Sequence, residues 1–134
     1  MGALSKICLA HLRGVDEHLR VLAHEVAKGF DCMVLEGVRT LEQQAEMVAA
    51  GQARSMESKH LSGEALDLCP YTIGGPSPRQ LDMFGGYVLG VASMLGIGLR
   101  WGGDMDVSLD PKERRQRALT HFELVRRQFS KEKG

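Results

Sequence analysis

Neither sign of charge is in excess in this chain. Its 134 residues carry 17 Lys and Arg against 17 Asp and Glu, a balance that suggests no nucleic-acid surface and no acidic tail. Cysteine is scarce. Cys8, Cys32 and Cys69 lie far apart with no CxxC spacing, and an odd number in a small chain points to free, buried thiols made in a reducing cytoplasm. Long apolar runs are missing as well: one lysine, a short apolar patch, then His11 and Arg13 are too brief for a signal peptide and far too brief for a membrane span. The expectation is a chain made in the cytoplasm with no export signal and no membrane insertion. Internal repeats and low-complexity blocks are absent, and the length fits one domain, residues 1–134, able to bury a core without disulfides or a structural metal.

What is present is a succession of short elements. Val15, Leu19, Leu22 and Val26 fall on one helical face that Gly29 closes; His18 and His24 belong to this helix and, with His11 before it, read as surface or boundary residues. Cys32-Met33-Val34-Leu35 reads as a buried strand ending at Glu36-Gly37-Val38-Arg39. Thr40 and Gln43 form a capping box for a helix whose inner face is Leu41, Ala45 and Val48 and whose C-terminal cap is Gly51. Arg39 thus stands at a strand-to-helix junction, placed either to grip a carboxylate in two-point fashion or to pair with a nearby Glu.

Ser77 with Pro78 and Gln80 opens a further helix whose buried stripe is Leu81, Phe84, Val88, Val91 and Leu95 and whose stop is Gly96. Gly85, Gly86 and Gly90 within it imply either a close approach of the sheet or an irregular helix. Ile97–Trp101 reads as a strand leading into Trp101-Gly102-Gly103-Asp104, and residues 105–119 as a flexible loop. Thr120–Val125 is the last strand by alternation, with His121 and Glu123 on one face and Phe122 on the other. The late arginines, at 114, 115, 117, 126 and 127, read as a solvated loop and basic tail, with loose attraction to an anionic polymer as the alternative.

The stretch Ser58–Cys69 changes character between two metal-binding residue types. His60 precedes a glycine turn at Gly63, and Ala65-Leu66-Asp67-Leu68-Cys69 alternates as a half-buried strand with Asp67 opposite Leu66 and Leu68. A carboxylate there needs a partner. A cation is one, and a turn-borne imidazole with a strand-borne carboxylate supplies two of the three protein ligands of a catalytic zinc.

Four motifs in order, Gly37-x-Arg39-Thr40 with Gln44, Ser58-x-His60-x-x-Gly63-x-Ala65-x-Asp67, Trp101-Gly102-Gly103-Asp104 and His121-Phe122-Glu123-Leu124, span about residues 34–125. Together they resemble the M15 family of zinc peptidases, most of all its short phage endolysins that cut the L-alanyl-D-glutamate bond of peptidoglycan; they are also similar to D-Ala-D-Ala carboxypeptidases and dipeptidases. The resemblance implies an α+β fold, a small antiparallel sheet with helices packed against it and the zinc on the sheet. It implies that His60, Asp67 and His121 bind one Zn2+ with an open fourth position, and that Arg39, with Ser58 and Gln44, holds a substrate carboxylate. It further implies a monomer that acts on bacterial peptidoglycan in the periplasm, reached through a holin-type lesion.

One position departs from the pattern. Where the family has an acid-base carboxylate, three residues before the last histidine, this chain has Ala118. Alanine can neither take nor give a proton, and losing such a group costs about 10² to 10⁴ in rate. The reading adopted is a deliberate replacement that yields an inactive protein. The alternatives are that Asp104, Asp106, Asp110 or Glu113 swings in, or that the chain is a zinc-containing cell-wall binding module without catalysis. Glu123, on the same face as His121, would orient a ligand or take over the acid-base role.

Overall fold

Four antiparallel strands carry the molecule, in the order β1-β2-β4-β3. They are β1 (Cys32–Glu36), β2 (Ala65–Pro70), β3 (Leu99–Trp101) and β4 (His121–Leu124), joined by α1 (Lys6–His11), α2 (Glu17–Gly29), α3 (Leu41–Ala49), α4 (Pro78–Leu95), α5 (Gly102–Met105) and α6 (Gln116–Thr120). The computed structural model describes residues 3–105 and 116–125. Among these, no helix is long and apolar enough to cross a membrane.

Local sequence accounts for the helix ends. Asp16 accepts from the His18 amide at the start of α2, and the Thr40–Gln43 and Ser77–Gln80 capping boxes both close, satisfying amides that the first helical turn leaves without partners. The first helix was not expected from so short a patch. Its signal is the four-residue step of Leu4, Cys8 and Leu12, all of which are buried.

The core lies between α2, α4 and one sheet face. Leu19, Leu22 and Val26 meet Leu81, Phe84 and Val88 over Leu66, Leu68 and Phe122. Fully burying such side chains stabilises by about 1.5–3 kcal/mol each. Phe84 packs edge-on against Phe30, with ring centroids 5.0 Å apart. The glycines of α4 divide in function. A Cβ on Gly85 would come within 2.4 Å of the Trp101 indole, whereas Gly86 and Gly90 face open space. Close approach of the sheet is thus the reason for Gly85, and α4 is a continuous helix.

Several expectations need correction. The buried residue of α3 is Gln44, while Leu41 is 68% exposed and Ala45 also faces solvent, because the helix turns a polar side chain inward to serve Arg39. The α4 stripe ends on Ala92, with Leu95 exposed. Strand β2 is buried on both faces, not one. Trp101-Gly102-Gly103-Asp104 runs straight into α5. Of the expected 105–119 loop, residues 106–115 lie outside the described residues and the segment from Gln116 is helical, as α6. The late arginines and the basic tail also fall outside what is described, apart from the backbone of Arg117 in α6.

Strand register positions the site. Asp67 pairs with His121 across β2 and β4, and a bulge between Val34 and Glu36 brings Glu36 opposite Asp67 on the other side. One row across the sheet therefore carries Glu36, Asp67 and His121, on the face away from Leu66, Leu68 and Phe122.

Candidate metal centre

His60 reaches this row from the turn before β2, and its ring is fixed by the backbone. Its Nδ1 lies 2.8 Å from the Gly37 carbonyl oxygen. A carbonyl only accepts, so Nδ1 carries the proton and Nε2 is left facing Asp67 Oδ1, at 3.1 Å. His121 is held from the opposite end: Glu123 Oε1 takes its Nε2 at 2.9 Å, and its Nδ1 faces the same Asp67 oxygen at 3.4 Å. The second oxygen of Asp67 accepts from Thr120 Oγ1 at 3.3 Å. The two imidazole rings stand edge to face, 5.2 Å apart.

His60, Asp67 and His121 each offer one ligand atom, all within 4.8 Å of one another, and two of the three residues are buried. They form a group that could hold a metal ion. Two imidazoles and a carboxylate, with the outer nitrogens anchored on a carbonyl and a carboxylate, are the donor set and outer support of a catalytic zinc site. The electrostatics follow from the crowding. Burial pushes the Asp67 carboxyl up, but hydrogen bonds and charge from His121 and His60 outweigh it and hold the group below the ordinary carboxylate value. Burial pulls the His121 imidazolium down, yet Asp67 and Glu123 more than offset this and push it up to about 9. The hydrogen bond from His121 lowers Glu123, against burial and with help from Lys59.

Beside this group lies a cleft of about 330 Å³. Its lining includes the expected metal ligands and substrate-binding residues together with Ala118, namely Arg39, Gln44, Ser58, His60, Asp67, Ala118 and His121, but neither Asp104 nor Glu123, while Asp106, Asp110 and Glu113 lie outside the described residues. Arg39 is buried, and each of its three guanidinium nitrogens already donates. Nε and Nη2 go to the two oxygens of Glu36, with Nε at 3.1 Å, and Nη1 goes to Gln44 Oε1 at 2.6 Å and to Ser58 Oγ at 3.5 Å. The structure therefore brings the three expected substrate-binding residues together, hydrogen-bonded through Arg39.

Ala118, in α6, presents a methyl group to the cleft. Its backbone is clamped: a Cβ on Gly102 would stand 2.0 Å from the Ala118 carbonyl oxygen, and Trp101 Nε1 donates to Leu119 O at 2.8 Å.

The nearby Glu that the sequence offered as a partner for Arg39 is Glu36, three residues before it; what sequence reasoning missed is that Glu36 also reaches the metal-binding group, with Oε1 3.8 Å from His60 Nε2. The carbonyl of Gly37 and the hydroxyl of Thr120 had none, since both act through contacts distant in sequence.

A family model described as phage L-alanyl-D-glutamate peptidase matches residues 2–125. The chain belongs to this family. The L-alanyl-D-glutamate peptidase of Escherichia phage T5 is 31% identical over 105 residues, 72% of this chain and 77% of that protein. The enzyme of the same name from Listeria phage A118 is 31% identical over 96 residues, 68% of this chain but only 32% of its own length. Among solved structures, the Serratia marcescens L-Ala D-Glu endopeptidase ChiX superposes with a TM-score of 0.72 at 26% identity, over 91% of this chain and 89% of that one. A mutant of the vancomycin-resistance D,D-pentapeptidase VanY, solved with Zn(II), shares the fold at TM-score 0.52 and 17% identity, over 84% and 73% of the two chains. The small antiparallel sheet with helices packed against it, and the His60, Asp67 and His121 cluster on the sheet, as the resemblance implied, are the architecture described above.

Proposed function

We propose that this chain is a zinc-dependent peptidoglycan peptidase domain directed at the L-alanyl-D-glutamate bond of the peptide stem. The observation that carries the reading is the convergence of His60 Nε2, Asp67 Oδ1 and His121 Nδ1 at the wall of a cleft, in a chain of this family. His60, Asp67 and His121 would hold the ion. Zinc in such a site supplies Lewis-acid polarisation of a carbonyl and a more acidic water. The chain's own residues do the rest. Gly37 and Glu123 aim the two imidazoles, Thr120 fixes the Asp67 rotamer, and the Glu36–Arg39–Gln44 network holds the wall against which a peptide lies.

Ala118 supports a second reading, in which zinc and peptide are held without cutting. It lines the cleft with a side chain that cannot carry a proton, at the position where the resemblance expects the acid-base group. In either reading the substrate is bacterial cell wall, reached after release from the host cytoplasm, and the domain acts as a monomer.

Digestion of purified stem peptides, together with turbidity of permeabilised Gram-negative cells, tests both readings. This chain should show little or no cleavage, and Ala118→Asp or Ala118→Glu should raise it by about 10² or more. Mass analysis of the fragments separates the L-Ala–D-Glu bond from a D-Ala–D-Ala bond. If both carboxylate variants bind zinc and neither cleaves, the peptidase reading fails. Metal analysis of His60→Ala checks the ligand set: a stoichiometry unchanged from the parent would remove His60 from it.

A further inference from the structure

Arg39, the residue expected to bind a substrate carboxylate, has its charge matched by Glu36 and all three nitrogens engaged inside the protein. Its partner Gln44 extends the network. Gln44 Nε2 donates to the Ser55 carbonyl at 2.9 Å and so fastens the 51–58 loop to α3. The next residue back, Arg54, is exposed and lines the same cleft as the metal-binding group. Among the described residues it has no ion-pair or hydrogen-bond partner. The loop thus presents, from an anchored backbone, a guanidinium that is uncommitted among the described residues, which is the arrangement a carboxylate ligand requires.

We propose that Arg54 is a specificity-determining residue, which receives the free carboxylate of the D-glutamyl residue beside the scissile bond. The inference rests on the function proposed above and names the anionic subsite of that cleft. A D-glutamyl residue whose amine lies in the bond to be cut retains two carboxyl groups. Only one continues the stem, so the other is a free anion a few bonds from the reacting carbonyl. A buried Arg39 that accepted this anion would have to give up Glu36, leaving a second carboxylate without its partner beside His60; Arg54 gives up no partner among the described residues. Glu57 also lines the cleft from this loop, so the anion is seated toward Arg54 and away from Glu57.

The test is equilibrium binding to the full chain supplied with zinc, by calorimetry, with two probes. One is L-alanyl-γ-D-glutamyl-L-lysine with its α-carboxylate free, and the other is the same peptide with that carboxylate converted to the amide. The parent should prefer the carboxylate by about tenfold or more, the scale of one charge-assisted hydrogen-bonded contact. Arg54→Gln should bind both peptides alike, at the affinity the parent has for the amide. Arg54→Lys should keep part of the preference, and Glu57→Gln, which removes a like charge from the same cleft wall, should keep all of it or increase it. A parent that binds both forms equally, or an Arg54→Gln protein that keeps the full preference, overturns the assignment while leaving the cleft a peptide site. If the parent binds neither peptide, the reading of the cleft fails and this inference fails with it.

Discussion

Glu123 Oε1 lies 2.9 Å from His121 Nε2, and this contact decides which nitrogen of His121 faces Asp67. Without it the ring is free to turn and the other tautomer becomes available. Glu123→Ala is expected to lower zinc affinity by about 10- to 100-fold, the usual cost of losing a carboxylate behind a histidine ligand. Competition against a chromophoric chelator measures this, and an affinity equal to the parent's would show that Glu123 does not orient the ring.

Stability of the metal-free protein should depend on pH from both sides. His121 is raised from 6.5 to about 9 by its carboxylate partners, so its contribution is fully present below pH 6.5 and is lost as pH rises through about 9. Asp67 is lowered from 3.8, so its contribution is present above that value and is lost as pH falls below it. Thermal unfolding in chelator from pH 3 to 10 should therefore give a Tm that peaks between roughly pH 4 and 6.5. A Tm still rising at pH 9 would contradict the His121 pairing.

Two adjacent glycines of α4 should respond in opposite directions. Gly85→Ala places a methyl group within 2.4 Å of the Trp101 ring and should destabilise by about 1–3 kcal/mol. Gly86→Ala meets nothing within 4 Å and should stabilise by roughly 0.5–1 kcal/mol through helix propensity. Urea unfolding of the two variants decides it; equal effects would rule out close packing of Trp101 on Gly85.

Gln44→Leu keeps much of the volume but removes both hydrogen bonds of the side chain, to Arg39 and to Ser55. Leaving buried Arg39 short of a partner should cost about 1–3 kcal/mol. Limited proteolysis should then cut within 51–58 faster than in the parent. Unchanged cleavage in that loop would mean that Gln44 does not fasten it.

Burial, aided by Cys8, Asp31 and Cys69, pushes the Cys32 thiol up to about 11. With few thiolates at pH 8, Cys32 should react with iodoacetamide far more slowly in the folded protein than after unfolding, as mass spectrometry would show. Equal rates would place it outside the core edge.

Features encoded within a few residues were legible in the sequence. The capping boxes at Thr40 and Ser77, strand β1, and the His60 turn leading into the Asp67 strand all follow from contacts between near neighbours, for which residue type and spacing suffice. Leu41 and Gln44 show where that logic ends. Periodicity favoured the leucine for the interior, but the buried Arg39 needed an acceptor, and a tertiary requirement overrode the apolar pattern. The partners of His60 and His121 divide the same way. Glu123, two residues from His121 on one strand, could be anticipated, whereas the Gly37 carbonyl is 23 residues from His60 and reaches it only because β1 and β2 are neighbours. Glu36 joined the site through a strand bulge, which shifts register without any mark in composition.

The seating of the Ala118 carbonyl against Gly102 separates two properties that most active-site positions combine. The path of the chain at 118 is held by main-chain contact and by the Trp101 indole on the neighbouring carbonyl, not by whatever side chain projects into the cleft. That position can therefore gain or lose a carboxylate by single substitution with little penalty to folding. Under the function proposed above, a lineage carrying this scaffold would pass between cutting and merely grasping the cell wall in one mutational step, and back again, because Gly102 rather than residue 118 preserves the architecture.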